Sequence, residues 1–166
     1  MAEKFAAEQV EFKEFAGHNA PLFLDQVCPE INSEFVTSIL MGKEQVPQSE
    51  DYLSIRDMSN FVLCAYGNKG NLLGFVAGSS DPINRYAQIG LVYILKGQRE
   101  RGLGKILVRE YIERLKTLLA IRVHVLASTT PSVLMFRDLQ KEFDILEVKE
   151  VPEELLSISD SQVANE

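Results

Sequence analysis

The sequence has little of what disulfide-bonded folds and metal centres require. Its 166 residues include two cysteines, two histidines and no tryptophan. Cys28 and Cys64 lie far apart, which excludes a disulfide framework and a CxxC metal motif, and we expect both to be free, buried thiols. His18 and His124 are also far apart, so they form no group with the spacing of metal ligands. The sequence therefore predicts no metal site.

Long apolar runs are also missing. No run reaches the roughly 18 residues that a membrane-spanning helix needs, and the N-terminus lacks the basic-then-apolar order of a signal peptide. We expect a soluble, cytoplasmic protein with no membrane partner. The chain has 46% hydrophobic residues and no internal repeat or Gly/Ser linker. It is predicted to form one domain over 1–166, with a core at about 8–148 and an acidic tail at 149–166.

Positive charge is scarce overall, because 17 Lys and Arg stand against 24 Asp and Glu, a net charge of −7. The charge is unevenly distributed along the chain. Residues 1–95 carry 6 basic and 12 acidic side chains, residues 96–141 carry 10 and 4, and residues 142–166 carry 1 and 8. The overall acidity argues against a nucleic-acid-binding surface. The basic segment in the middle nevertheless indicates an anionic partner.

The pattern of apolar residues predicts a mixed α/β chain. Alternating apolar residues near the N-terminus predict a half-buried strand, and two apolar runs separated by a Gly-Asn-Lys-Gly-Asn turn predict a hairpin. A near-continuous apolar run over 87–95 indicates a central strand covered on both faces. Strands are predicted over 9–16, 60–66, 72–78, 87–95, 121–127 and 143–148, with a loop at 79–86; helices are predicted from Asn19, from about Asn32 to Gly42, over 103–119 and over 130–141.

Residues 103–119 show the helical period most clearly. One face carries Leu107, Tyr111, Leu115 and Leu118. Glu110 and Arg114 are spaced to pair at i,i+4 on the exposed face. Because this helix joins the strand at 87–95 to the strand at 121–127, those two strands are expected to run parallel.

The segment that enters this helix carries chemistry. A glycine-rich turn at a helix N-terminus exposes backbone N–H groups at the positive end of the helix dipole, a combination that binds phosphate. Five cations lie within the same fourteen residues, against one acid, Glu100. They are Lys96, Arg99, Arg101, Lys105 and Arg109. Their concentration at one helix end favours a small phosphorylated ligand over a nucleic-acid backbone.

Spacing excludes two familiar phosphate loops. A Walker loop needs a glycine and a magnesium-binding Ser or Thr where this chain has Arg99 and Ile106, and the dinucleotide fingerprint needs a third glycine where it has Leu107. The run Arg99-Glu100-Arg101-Gly102-Leu103-Gly104 instead resembles the Q/R-x-x-G-x-G/A signature of the Gcn5-related N-acetyltransferase (GNAT) superfamily. The resemblance covers about 8–148. It implies a mixed, mostly antiparallel central sheet with one splayed parallel strand pair, flanked by about four helices.

The resemblance also implies that acetyl-CoA binds as a co-substrate where the strands at 87–95 and 121–127 splay apart. The main chain of Ile94, extended by Leu95 or Lys96, would pair with the pantetheine arm. Main-chain N–H groups would cradle the pyrophosphate; they belong to Arg99, Glu100, Arg101, Gly102, Leu103, Gly104 and Lys105. The basic side chains of this run either reach the adenosine phosphates or remain solvated at the helix end.

The implied reaction is direct attack of an amine on the thioester, without a covalent enzyme intermediate. It requires an unprotonated amine and a proton for the leaving thiolate. Two positions depart from the patterns of the family. Gln88 stands where histone-type members place a glutamate, and Arg137 stands where many members place a tyrosine.

Other candidate site residues remain. Tyr93 either donates its hydroxyl or packs in the core, and His124 acts as a base or is an ordinary strand histidine. Ser128 and Thr130 either meet the pantetheine or sulfur or cap the last helix. Arg137 either meets a phosphate or lies on the helix surface. A water chain can also serve as the base, so the missing residues do not imply inactivity.

Three functions fit these observations. The first is an N-acetyltransferase acting on a primary amine. Its acidic flanks favour a cationic acceptor such as a polyamine, a lysine side chain or an amino sugar, although an acidic tail often serves only solubility. The alternative is an acyl-CoA-binding regulatory module without catalysis, because both usual catalytic positions differ. A nucleic-acid-binding domain comes last, since no aromatic residues interleave with the cations. A homodimer through strand edges near the C-terminus is common in the superfamily.

Overall fold

The described residues fold around a six-stranded mixed sheet with helices on both faces. The computed structural model describes residues 9–27, 58–95, 97–99, 101–118, 120, 122–127 and 130–150. The strands are β1 (Glu11–Ala16), β2 (Phe61–Tyr66), β3 (Leu72–Asp81), β4 (Tyr86–Ile94), β5 (Arg122–Ala127) and β6 (Leu146–Glu150). Their order across the sheet is the same as their order in the chain.

Strand direction changes in the middle of the sheet. Neighbouring strands from β1 to β4 pair antiparallel, whereas β4 pairs parallel with β5, and β5 with β6. The parallel β4–β5 pair confirms the crossover predicted from the helix between these strands. The mixed, mostly antiparallel sheet confirms the expected fold class.

Three helices are described: α1 (Asn19–Val27), α2 (Leu103–Thr117) and α3 (Thr130–Glu142). The predicted helix from about Asn32 to Gly42 lies outside the described residues. α2 ends two residues earlier than predicted, and Leu118 is its C-cap at φ −86° and ψ 15°. Leu118 is therefore 42% exposed and does not belong to the buried stripe. None of the helices in the described ranges is long and apolar enough to cross a membrane.

α2 and α3 cover one face of the sheet and form the larger core with it. Tyr111 of α2 is fully buried, and its hydroxyl donates to the carbonyl oxygen of Phe61 at 3.0 Å. Burial of a large apolar side chain stabilises the fold by roughly 1.5–3 kcal/mol. On the outer side of α2, Arg114 Nε lies 3.0 Å from Glu110 Oε1, which confirms the predicted i,i+4 pair.

α1 covers part of the opposite face. Phe23 of α1 packs edge-on against Phe75 of β3, with ring centroids 5.7 Å apart. The ring of Tyr93 of β4 also lies 5.7 Å from that of Phe75 in the same cluster. Cys64 is buried in this cluster as a free thiol, as predicted, and burial raises its pKa. Cys28 lies outside the described residues.

The β3–β4 hairpin is longer than the apolar pattern predicts. The prediction of a loop over 79–86 is wrong in part, because β3 continues to Asp81 and β4 begins at residue 86. Asn60 stabilises this extension: its side chain donates to Ser80 O at 2.8 Å and accepts from Ser80 N at 2.7 Å. Asp81 closes the turn by accepting bonds from the side chain and main chain of Asn84, which lower the pKa of Asp81.

β6 starts three residues later than predicted. The main-chain N–H of Phe143 donates to Leu139 O at 2.9 Å, so helical bonding of α3 continues through the predicted strand start. A turn follows, in which Leu146 N donates to Phe143 O at 3.1 Å. The apolar side chain of Phe143 is buried at the end of a helix rather than within a strand.

Candidate functional site

β4 has a partner on both sides along only half of its length. It pairs with β3 throughout, whereas its pairing with β5 stops at Ile89, opposite Val125. Gly90 is an extra residue in the ladder with β3, a bulge at the same place. We call the Ile89–Val125 pair the fork, and the β5-facing side of residues 90–94 the open edge. Within the described residues no strand pairs with the open edge, which is about 16 Å long.

The open edge presents main-chain hydrogen-bonding groups. Leu95 N donates to Leu73 O of β3 at 3.0 Å. Because alternate residues of an antiparallel strand bond to the same neighbour, Val92 and Ile94 direct their N–H and C=O groups away from β3. The carbonyl of Ile94 agrees with this orientation, since it accepts a hydrogen bond from Arg99 Nε at 2.8 Å. The open edge is therefore suited to an extended ligand that carries amide groups.

A turn with two left-handed glycines links the open edge to α2. We call residues 97–99 and 101–102 the glycine turn. Gly97 has a φ of 87° and Gly102 a φ of 77°, a conformation that favours glycine. Gly102 is also the N-cap of α2, and no side chain of the described part of the chain caps this end. The first N–H groups of α2 therefore lack partners within the helix, and the helix dipole adds positive potential beside them.

The two signature glycines have different surroundings. A Cβ atom on Gly102 would meet no atom of the described residues within 4 Å, so they leave this side of the turn open. A Cβ atom on Gly104 would lie 3.4 Å from Met135 Sδ and 3.9 Å from Ile94 Cγ1. Gly102 thus leaves room for a ligand, whereas Gly104 lets α2 begin in close contact with α3 and β4.

The basic side chains of early α2 interact with acids of α3. Lys105 Nζ lies 3.7 Å from Asp138, and Arg109 donates two hydrogen bonds of 2.8 Å to Glu142. Asp138 partly compensates the positive charge of Lys105 beside the helix end, whereas the Arg109–Glu142 pair lies further along α2. Main-chain N–H groups at the start of α2 remain as donors for an anion at this end.

The strands near the fork carry polar side chains on the α1 side of the sheet. Four apolar residues of these strands face the α2 core: Ala87, Ile89, Val123 and Val125. Alternation along each strand directs the intervening residues to the α1 side. We call the following group the polar half: Tyr86, Gln88, Arg122, His124 and Glu147. Within it, His124 stands opposite Gln88, one residue before the fork.

Glu147 of β6 contacts two other residues of the polar half. Its carboxylate accepts hydrogen bonds of 2.9 and 3.1 Å from Arg122 and lies 2.9 Å from Nε2 of His124. The hydrogen bonds from Arg122 lower the pKa of Glu147, so the carboxylate remains ionised at neutral pH. The His124 ring also lies beside the ring of Tyr86, at 5.9 Å between centroids. These contacts can fix the orientation of the imidazole.

The predicted catalytic residues lie in different environments. Tyr93 is 1% exposed and packs with the α1 cluster, whereas the His124 side chain is 36% exposed. Arg137 is exposed on α3. Arg101 Nη1, in the predicted pyrophosphate cradle, donates to the side chain of Gln98 at 2.9 Å.

Some predicted site residues cannot be placed. Those outside the described residues are Lys96, Glu100 and Ser128. Thr130 begins α3, but its side chain is not among those described. Within the described ranges, no group of three or more Cys, His, Asp and Glu side chains could hold a metal ion.

Sequence reasoning missed Glu147 and Arg122. Alternation within β5 places Arg122 and His124 on the same face, and this signal is present in the sequence. The acid that joins them comes from β6, whose register with β5 depends on where α3 ends. An apolar pattern alone does not fix that register.

Comparison with known proteins agrees with this geometry. The profile of the acetyltransferase (GNAT) family matches residues 24–139, whereas no curated protein matches the chain. One similar solved structure is the catalytic domain of the Tetrahymena GCN5 histone acetyltransferase in complex with coenzyme A. It has 13% sequence identity and a TM-score of 0.53, over 78% of this chain and 74% of that chain.

Two further structures show the same likeness. A GNAT family acetyltransferase from Brucella melitensis in complex with acetyl-CoA has 18% identity and a TM-score of 0.51, over 73% of this chain and 77% of that chain. An aminoglycoside acetyltransferase from an uncultured soil metagenomic sample has 15% identity and a TM-score of 0.53, over 78% and 90%. These structures show the fold, and the family profile matches well over half of the sequence. The chain therefore belongs to the GNAT acetyltransferase family.

Proposed function

We propose that this protein transfers the acetyl group of acetyl-CoA to a primary amine. One observation carries the proposal: the open edge of β4 leads directly into the uncapped N-terminus of α2 at Gly102. An extended arm with amide groups can pair with the open edge, and a pyrophosphate can accept hydrogen bonds from the helix end. Coenzyme A carries an arm with amide groups and, next to it, a pyrophosphate.

This order of parts brings the thioester toward the fork. With the pyrophosphate at Gly102, the pantetheine arm runs along the open edge from Ile94 toward Gly90, and the acetyl group follows. His124 lies one residue before the fork on the α1 side. Among the described candidates its ring is accessible, while Tyr93 packs in the core. We assign the general base to His124.

The reaction then needs no other reactant. The amine nitrogen forms a bond to the acetyl carbonyl carbon, and the carbon–sulfur bond breaks with its electron pair on sulfur. His124 takes the proton that nitrogen loses, and the thiolate recovers one proton, so the products are an amide and the free thiol of CoA. An amine that arrives protonated releases one additional proton to solvent.

The acceptor is proposed to be cationic. Support comes from the acidic segments 1–95 and 142–166, with net charges of −6 and −7. The polar half itself contributes little attraction, because Arg122 is paired with Glu147. Turnover of a cationic and a neutral amine should be measured against salt concentration. Steering predicts that salt raises KM only for the cationic amine; equal salt dependence would contradict it.

Binding and turnover should be measured separately. Calorimetry with acetyl-CoA and CoA tests the site, and thiol release over a panel of amines tests the reaction. We expect binding of both ligands and amine-dependent release of CoA. Absence of binding would overturn the proposed site, whereas binding without turnover on any amine would favour the regulatory module.

A further inference from the structure

We propose that Glu147 is a positioning residue for acetyl transfer, which holds the imidazole of His124 in the orientation and tautomer of a general base. This inference rests on the proposed function. It concerns a residue that neither the signature sequence nor the family resemblance indicates.

The chemistry of the contact selects the tautomer of His124. An ionised carboxylate only accepts hydrogen bonds, so the neutral imidazole must carry its proton on Nε2, the atom 2.9 Å from Glu147. The hydrogen bond made by one ring nitrogen determines the state of the other. Nδ1 therefore holds the lone pair that can take a proton from the amine.

The positions of the two residues are fixed by the sheet. His124 and Glu147 are direct partners in the parallel ladder between β5 and β6. Two hydrogen bonds from Arg122, which is two residues from His124 on β5, hold the carboxylate in place. Geometry set on paired strands is more precise than geometry set on loops. Arg122 also balances the charge of Glu147, so the pair adds no net charge beside the acceptor.

An ordinary surface ion pair is the competing explanation, and the chain contains a matched example. Glu142 also accepts two hydrogen bonds from one arginine, Arg109, and its side chain is 40% exposed against 41% for Glu147. Glu142 belongs to α3 on the other side of the sheet. Comparing the two glutamates separates loss of an ion pair from loss of imidazole positioning.

The first experiment measures kcat and the KM for acetyl-CoA in three variants. Glu147→Ala removes the acceptor of the Nε2–H bond and should lower kcat about 10- to 100-fold, the range expected for loss of a hydrogen bond to a charged group. Its KM for acetyl-CoA should stay within about twofold of wild type, because the open edge is untouched. Glu147→Gln keeps an oxygen acceptor and should restore kcat to within about threefold. Glu142→Ala should behave as wild type.

A double mutant tests whether Glu147 acts through His124. In a His124→Ala background, Glu147→Ala should lower kcat by no more than about twofold, because two residues that act as a unit are not additive. Imidazole ¹⁵N spectra at alkaline pH give a readout independent of turnover. With two histidines in the chain, a His18→Gln variant assigns the signals. Wild type and Glu147→Gln should show the Nε2-protonated tautomer, and Glu147→Ala a mixture.

The inference and the proposed function fail in different ways. Wild-type protein without turnover on any amine would remove the proposed function. Active wild-type protein with an unchanged kcat in Glu147→Ala, a kcat in Glu147→Gln as low as in Glu147→Ala, or the same His124 tautomer in all variants would overturn the positioning role alone.

Discussion

The two sides of the fork are built from different parts of the chain. On the proposed CoA side, which comprises the open edge and the glycine turn, the available groups belong to the main chain, and the nearby Lys105 is paired with Asp138. On the proposed acceptor side, the polar half depends on side chains, and Glu147 lies 2.9 Å from Nε2 of His124. A main-chain site tolerates most side-chain changes and fails when the backbone or its space is altered. A side-chain site fails when one functional group is removed.

The largest expected effect is on the affinity for CoA, from a substitution in the glycine turn. Gly102→Asp should weaken CoA binding about 1000-fold, because a carboxylate would face the pyrophosphate and such like-charge contacts cost several kcal/mol. The left-handed φ of 77° adds strain of about 1–2 kcal/mol. Calorimetry measures the affinity, and thermal unfolding measures the strain.

Gly70→Asp is the matched control for that variant. Gly70 has nearly the same φ, 76°, and open space around it, but it lies in the β2–β3 hairpin. It should lose similar stability and keep wild-type affinity for CoA. Equal affinities of the two variants would show that the phosphate cradle lies elsewhere.

The next largest expected effect is on kcat, from a substitution in the polar half. His124→Ala should lower kcat about 100-fold, at the lower end of the range for a general base, with the affinity for CoA unchanged. The exposed His18 provides a control, since His18→Ala should leave both quantities at wild-type values. A His124→Ala enzyme with full kcat would assign the base to water or to another group.

A smaller expected effect tests whether side chains near the glycine turn contribute to CoA affinity. Lys105→Gln should weaken CoA binding less than about fivefold, because an exposed charge contributes roughly 1 kcal/mol or less. Lys116→Gln is the control, since Lys116 also lies on α2 with an acid, Glu113, at 3.7 Å. A loss above about 50-fold for Lys105→Gln would mean that the side chain, rather than the main chain, holds the phosphates.

The smallest expected effect is on stability and concerns the Arg109–Glu142 pair, which lies outside the open edge, the glycine turn and the polar half. Arg109 lowers the pKa of Glu142, so the pair stabilises the fold fully above the unfolded glutamate pKa of about 4.3. This contribution falls as the pH drops through the lower pKa that Glu142 has in the folded protein. Glu142→Gln should lower Tm by at most about 2–4 °C at pH 7, equivalent to about 1 kcal/mol. The difference from wild type should vanish at more acidic pH; a constant difference would contradict the assignment.

The sequence predicts the fold around the glycine turn better than the contacts within the polar half, for a physical reason. The glycine turn is local: Gly102 and Gly104 stand within a few residues of the helix they begin, and the period of Leu107, Tyr111 and Leu115 locates that helix. Parallel pairing of β5 follows from the helix before it. The place where β4 and β5 separate coincides with the bulge at Gly90, which no local pattern indicates.

The polar half requires contacts between distant residues. Arg122 and His124 are 25 and 23 residues before Glu147, and they meet only because α3 ends at Glu142 and a turn sets the register of β6. The long β3–β4 hairpin is unpredicted for the same reason, since Asn60 stabilises it through Ser80 across the sheet. Residue types can be read in the sequence, but their pairing depends on the fold.

Amide hydrogen exchange with and without CoA tests the central claim most directly. The main-chain N–H groups of Val92 and Ile94 on the open edge, and of residues 103–105 at the start of α2, should become protected when CoA binds. Amides of the β2–β3 hairpin around Gly70 should not change. Binding of CoA without protection at the open edge and the helix end would contradict this account.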